Sequence, residues 1–359
     1  MGVNEIIIYL MLAFMVLGAI DRILGNRFGL GAEFENGILA MGSLALAMLG
    51  IIALSPVLAS LLNPVLVPVF RLFRADPAMF AGTILACDMG GASLAQDLAQ
   101  SPEAALFGGI LVGSTLGPTI VFNIPVALGI IPKEDQRPLA QGILFGLLTI
   151  PVGCFFGGLV AGFSIAMIVQ NLIPILLIAL LIALGLWRAE NAMIRGFTIF
   201  GKVIIAIITL GLAAGIIEQL TGFAVIPGMA PLSDGFATVG AIAIVLAGAF
   251  PLVFVITRLF KKPLTRLGSL LGMNDVAAAG LVATLANSIP MFGMMKDMDR
   301  RGKILNVAFA VSASFVFGDH LGFTAGFAPE MLTAMIVGKL AGGISAVAVA
   351  MLATRRNSA

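Results

Sequence analysis

Polar residues interrupt this apolar chain at four places where its helices must open. Asp88 lies in FAGTILACDMGGASLAQDLA (80–99), at a break made by Cys87, Asp88, Met89, Gly90 and Gly91. The apolar arms on either side are about ten residues long, too short to cross a hydrocarbon core of about 30 Å. Asn123 follows Gly117-Pro118 in STLGPTIVFNIP (114–125). Asn287 and Ser288 precede Pro290, and Asp319-His320 stand between Gly318 and Gly322 in SFVFGDHLGF (314–323). Backbone that leaves the helix inside a membrane is tolerated only where protein or a wet cavity satisfies it. An acid at such a place is a functional-site hypothesis by default.

The chemistry these residues could do is cation binding. Asp88 and Asp319 against one titratable imidazole, His320, give a net anionic cluster. Phe122, Phe292 and Phe317 neighbour these positions and can present ring faces to an ammonium, worth about 0.5–2 kcal/mol when desolvated. Asn123, Asn287 and Ser288 can satisfy a hydroxyl. A buried carboxylate without a cation is protonated or paired, so ligand binding and proton uptake compete, and His320 is a candidate for proton coupling.

Each residue also has a plainer use. Asp88 can cap the amides of the second arm. Asp319 and His320 can pair with each other, or the histidine can hold a kink. Asn123 and Asn287 can satisfy freed backbone groups at their breaks, and phenylalanines more often pack than cage a cation. Catalytic motifs are lacking: no HExxH, Walker loop, GxSxG elbow or paired-cysteine spacing occurs. Cys87 and Cys154 lie in apolar stretches and read as small buried residues. No metal, cofactor or catalytic residue is expected.

The elements that position these residues follow from composition. Of 359 residues 60% are hydrophobic and 11% charged, with mean hydropathy +1.12, which fits a chain that crosses a membrane many times. The net charge of +2 is spread over loops, so no basic patch points to nucleic acid. The N-terminal run lacks a basic leader and reads as a retained first helix rather than a cleaved signal. Nine long apolar runs read as spans: 3–24, 37–62, 105–131, 139–162, 164–187, 197–220, 236–259, 304–323 and 330–353. The segments 77–100 and 274–298 read as re-entrant hairpins.

Charge supports the hairpins. With them, Arg22/Arg27, Lys133/Arg137, Arg188/Arg195/Lys202, Arg258/Lys261/Lys262/Arg266, Lys296/Arg300/Arg301/Lys303 and Arg355/Arg356 all fall on one side. By the positive-inside rule that side is the cytoplasm, leaving the N-terminus outside and the C-terminus inside. Arg71 and Arg74 are the exception.

The chain also echoes itself. Gly37, Gly42, Gly50 and Asp76 stand 198 residues before Gly235, Gly240, Gly248 and Asn274, and Asn123 stands 196 before Asp319. The expected fold is therefore an all-α polytopic membrane protein, with about nine spans and two hairpins in two inverted repeats. Repeat one is 1–163, a linking span is 164–195, and repeat two is 196–359, each repeat being two spans, a hairpin and two spans. Interrupted helices in equivalent positions of such halves point to a transporter's binding site. The small-residue face Gly153–Gly162 permits helix association, so an oligomer is allowed but not specified.

Three long strings carry a resemblance: AGTILACDMGG (81–91), GPTIVFNIPVALGI (117–130) and VATLANSIPMFGMMKDMDRRGKILNVAFAVSASFVFGDHLGFTAG (282–326). Through them, and essentially end to end, the chain resembles the ethanolamine permease (EutH) family of bacterial ethanolamine-utilization operons. One departure is the short connection 25–36, which in many relatives looks longer and glycine-rich. The resemblance implies an inner-membrane protein that brings ethanolamine into the cytoplasm. Protonated ethanolamine is a small cation with a hydroxyl, as the residues themselves suggest. Its ammonium would sit between Asp88 and Asp319, and its hydroxyl near Asn123, Asn287 or Ser288. Other readings are a carrier for another small polar solute, such as a nucleoside, and an intramembrane enzyme using the two aspartates. The hairpin plan also resembles that of concentrative nucleoside transporters, a likeness of fold alone.

Overall fold

Long apolar runs without water must satisfy their backbone internally, and the computed structural model is helical throughout, with no strand among the described residues, 2–355. The side chains of Glu190, Arg355 and most of 260–270 lie outside the description. Of the expected topology charges, Lys261, Lys262, Arg266, Arg355 and Arg356 lie outside it.

Two long helices open the chain, α1 (Val3–Ile23) and α2 (Leu30–Leu72). A short pair follows, α3 (Ala78–Ile84) and α4 (Gly91–Leu98). The next run comprises α5 (Pro102–Leu106), a π-helical stretch (Phe107–Val112), α6 (Leu116–Pro118), a second π-helical stretch (Thr119–Asn123) and α7 (Ile124–Ile130). Helices α8 (Gln136–Val160), α9 (Ile165–Arg188), α10 (Glu190–Thr221) and α11 (Leu232–Leu270) come next. A second short pair, α12 (Asp275–Ala286) and α13 (Ser288–Met294), precedes α14 (Arg300–Ala313), α15 (Asp319–Phe327) and α16 (Leu332–Arg355).

Among the described residues, eight helical runs are long and apolar enough to cross a membrane. The ninth expected span, 304–323, is not one helix. It is α14 and α15 with 314–318 between them, because Gly318 and the main-chain bonds of its neighbours turn the chain aside. The expected span 37–62 is likewise the middle of a longer helix. At 43 residues, α2 extends about 65 Å, and it carries Pro56, Pro64 and Pro68 within it.

The segments expected as hairpins are pairs of helices of 7 and 8 residues, and of 12 and 7. None is long enough to span. Matched side chains close both pairs at the base. Asp76 accepts from the Ala78 and Gln100 amides, each at 2.9 Å, so one carboxylate holds both ends of the first pair. Asn274 accepts from the Ala277 amide at 3.0 Å and donates to the Asp297 carbonyl at 2.9 Å. Its own amide meets Asp299 at 2.8 Å. Asp76 and Asn274 thus each link the start of their pair to its end.

Glycines set the helix spacing. A methyl on Gly50 would lie 1.8 Å from the Ile208 carbonyl oxygen, and one on Gly248 would lie 2.3 Å from that of Met11. Helix α2 is thus pressed against α10, and α11 against α1, at aligned positions. The Gly153–Gly162 face that sequence offered for association is used within the chain. A methyl on Gly153 would meet the Gly338 carbonyl oxygen at 2.5 Å and the Gly342 Cα at 3.0 Å. This close contact of α8 with α16 brings Lys339 into the interior.

Candidate functional site

The first opening is built by the chain leaving the helix after Ile84. Leu85 and Ala86 are extended, Cys87–Met89 form one tight turn, and Gly90 at φ +86° starts α4. Only glycine adopts that conformation without strain, and a Cβ there would also strike Ile51 at 2.3 Å. The Cys87 amide donates to the Gly113 carbonyl at 2.6 Å, fixing the turn on the opened run beside it. The N-cap of α4 is Gly90, which has no side chain to cap with.

The second opening is Ser314–Gly318, tied to the tip of the second short pair. The Phe315 amide donates to the Thr284 carbonyl at 3.2 Å, and that of Phe317 to Leu285 at 2.8 Å. These bonds hold Phe315 at φ +64°, a conformation uncommon outside glycine and worth a cost of about 1–3 kcal/mol. Helix α15 then begins at Asp319, whose charge suits the positive end of a helix dipole.

Both openings face one cavity of about 230 Å³. Its wall includes Asp88, Phe122, Phe315, Asp319 and His320, with Ser43 from α2. The His320 Nε2 stands 3.7 Å from the Asp88 carboxylate, beyond hydrogen-bond length, so the imidazole turns to Asp88 rather than to its sequence neighbour. The Phe315 ring lies edge-on to Phe122 at 5.5 Å and 5.2 Å from the imidazole. Cys87, Asp88 and His320 place their ligating atoms within 4.8 Å of one another. The buried Lys339 ammonium is an electrostatic neighbour of all three.

The expected site residues are not all gathered there. Asn123 and Ser288 form a buried knot: Ser288 Oγ donates to Asn123 Oδ1 at 2.7 Å, and Asn123 Nδ2 donates to Ser314 Oγ at 3.1 Å. Asn287 caps its own helix, accepting from the Ile289 amide at 2.8 Å. Asn287 and Phe317 line a second cavity of about 260 Å³, whose wall includes Glu33, Thr257 and Asp319. Asp319 is common to both cavities. Phe292 is buried at 2% exposure, as packing requires.

Ser43, Phe315 and Lys339 were missed by sequence reasoning. Phe315 carried no signal, because its conformation comes from partners about thirty residues away in the chain. Lys339 did carry one: it is a lone lysine inside an apolar run, which marks function as an acid does. It is 1% exposed, and its ammonium donates to the Ser114 carbonyl oxygen. The cluster is therefore less anionic than two carboxylates and one imidazole imply.

Comparison with known proteins identifies the family of this helical chain. The family model described as "Ethanolamine utilisation protein, EutH" matches residues 3–353. A Listeria monocytogenes protein (serotype 1/2a, strain 10403S) named "Probable ethanolamine permease EutH" is 65% identical over 356 residues, covering 99% of this chain and 95% of the relative. An Escherichia coli (strain K12) protein of the same name is 50% identical over 397 residues, covering 100% and 97%. A Bacillus subtilis (strain 168) protein named "Uncharacterized protein YxeR" is 52% identical over 359 residues, covering 100% and 97%. No solved structure matches the chain.

Proposed function

The chain belongs to the EutH family of ethanolamine utilisation proteins, and we propose that it is a carrier that brings ethanolamine, as the protonated cation, into the cytoplasm. The observation that carries this reading is one cavity with Asp88 and Asp319 both in its wall. Two carboxylates inside an apolar bundle require positive charge, and the Phe122 and Phe315 rings add faces that attract an ammonium. The names of the relatives supply the substrate.

The ammonium sits between the two aspartates. Ser43 donates its own hydroxyl to the Ala40 carbonyl at 2.9 Å, which leaves its oxygen to accept the substrate hydroxyl. Asn123 and Ser288 tie the second π-helical stretch and α13 to the second opening instead of touching substrate. Asn287 and Phe317 meet it in the second cavity, with Asp319 handing the cation from one to the other. His320, beside Asp88, is placed for proton coupling.

Two inverted repeats give this path its alternating access. Support comes from the matched hairpin clamps at Asp76 and Asn274 and from the matched contacts of Gly50 and Gly248. In the orientation with the N-terminus outside, Arg22 and Glu33 lie toward the cytoplasm, and the second cavity is the exit. The membrane potential favours inward movement of one positive charge by about 2.3 kcal/mol per 100 mV.

Labelled ethanolamine uptake into proteoliposomes, with potential and pH gradient imposed separately, tests the reading. Uptake is expected to follow an inside-negative potential and to return the solute chemically unchanged. Uptake indifferent to potential, or a chemically altered product, removes the cation-carrier reading.

A further inference from the structure

Lys339 is the one feature of the site that neither the proposed substrate nor the two cavities explain. It lies on α16, 1% exposed, in a helix whose neighbouring residues Gly338 and Gly342 press against Gly153 and Gly157 of α8. Burying an ammonium here is costly unless it is paired and hydrogen-bonded, so its surroundings show what it is for.

Those surroundings resemble a site for a monovalent cation. Residues 113–115 form the turn between the first π-helical stretch and α6, where the helical ladder is open. The Ser114 carbonyl oxygen freed there accepts from the ammonium. Ser114 is itself fully buried, at 0% exposure, and Thr115 is at 2%. Asp88 is an electrostatic neighbour, as are the Cys87 and Cys154 thiols. Unwound carbonyls beside a polar pocket are the groups with which carriers hold a coupling sodium ion or proton. In this chain a lysine already stands on them.

We propose that the Lys339 ammonium is a tethered cation, occupying the place a coupling ion from solution would take and neutralising Asp88. The proposal rests on the cation-carrier reading and adds its ion requirement. Lys339 acts on Asp88 through space, with no salt bridge between them among the described residues, and does not act on Asp319, which leaves that carboxylate without a fixed cation. One uncompensated negative charge then calls for one monovalent substrate. Transport needs no sodium, because the chain brings its own cation.

The test uses full-length protein in proteoliposomes, with sodium chloride or N-methylglucamine chloride outside. Wild type is expected to take up labelled ethanolamine equally in both. Lys339→Ala is expected to lose uptake by about tenfold or more without sodium, as a broken buried pair does, and to regain part of it with sodium or lithium. Sodium-dependent uptake by wild type overturns the proposal. So does a Lys339→Ala protein that keeps the wild-type rate, or one that neither ion rescues.

Thermal unfolding of purified protein without ethanolamine separates this inference from the choice of substrate. Lys339→Met is expected to lower the midpoint by several degrees, and adding Asp88→Asn to recover at least half of the loss. A double variant no more stable than the single one overturns the pairing, whatever the carrier transports. Failure of ethanolamine uptake in wild type, with the recovery intact, would instead discard only the substrate.

Discussion

Asp88 and Asn123 both sit where the chain leaves a regular α-helix, yet the structure treats them in opposite ways. Asn123 is closed into a knot in which Ser288 donates to it and it donates to Ser314. Asp88 shares a cavity wall with Asp319 and keeps 17% of its side chain exposed. The difference follows from what each group can offer a neighbour. An amide both donates and accepts, so it can join two openings without help. Two ionised carboxylates only accept, and repel one another, so they need a cation between or beside them. Amide openings can therefore be sealed as structure, whereas carboxylate openings must stay in contact with something positive.

The sharpest way to break that comparison is to make a carboxylate opening into an amide one. Asp319→Asn keeps shape and removes charge, and uptake is expected to fall on the order of a hundredfold, since the substrate loses its ion-pair partner. Labelled uptake at matched protein density checks this. Retention of uptake would mean that charge at α15 is unimportant.

The converse change acts on the knot. Asn123→Ala strands the Ser288 and Ser314 hydroxyls in a dry site, at a cost of about 1–3 kcal/mol. The expected outcome is a lower unfolding midpoint, with uptake per folded molecule changed much less than by Asp319→Asn. Thermal melts and uptake on one preparation distinguish the two. Uptake loss equal to that of Asp319→Asn would place Asn123 on the substrate.

These contrasts show what sequence could and could not convey. The openings were legible because glycine and proline beside an acid in a short apolar arm have few other uses. The short helix pairs were legible as apolar segments too short to span, while the bonds that Asp76 and Asn274 make within them were not. The knot was not, since Asn123 and Ser288 stand 165 residues apart and neither has a local pattern. The apolar content of 304–323 concealed its division into two helices, which depends on main-chain bonds from Phe315 and Phe317 to a distant tip. Lys339 was legible as a lone lysine in an apolar run, but it lies in an intact helix, away from the breaks that mark the other site residues.

A smaller effect tests how closely the second opening must approach that tip. A Cβ on Gly318 would lie 2.0 Å from the Ala286 carbonyl oxygen, and backbone cannot step aside as a side chain can. Gly318→Ala is expected to cost about 1–3 kcal/mol through the shift it forces, read as a lower melting midpoint and slower uptake. Gly42→Ala and Gly240→Ala serve as controls, because nothing lies within 4 Å of either added atom. Equal effects at all three positions would show that the close approach is unimportant.

The smallest effect belongs to the rings that face the carboxylates. Phe122 and Phe315 are both in the cavity wall and pack edge to face, but only Phe315 is held at positive φ. Replacing Phe122 by Leu removes a ring face while keeping apolar bulk, and a cation–π contribution of about 0.5–2 kcal/mol predicts roughly a 2- to 30-fold weaker apparent affinity. Phe315→Leu should show a similar loss of affinity plus a disturbed second opening, so its maximal uptake rate falls as well. Concentration-dependent uptake separates the two parameters. If Phe122→Leu leaves affinity unchanged while Asp319→Asn abolishes it, the ammonium is held by charge alone and the rings only exclude water. If both phenylalanines matter equally in both parameters, the strained backbone at Phe315 is packing, and the opening is set by the main-chain bonds to Thr284 and Leu285.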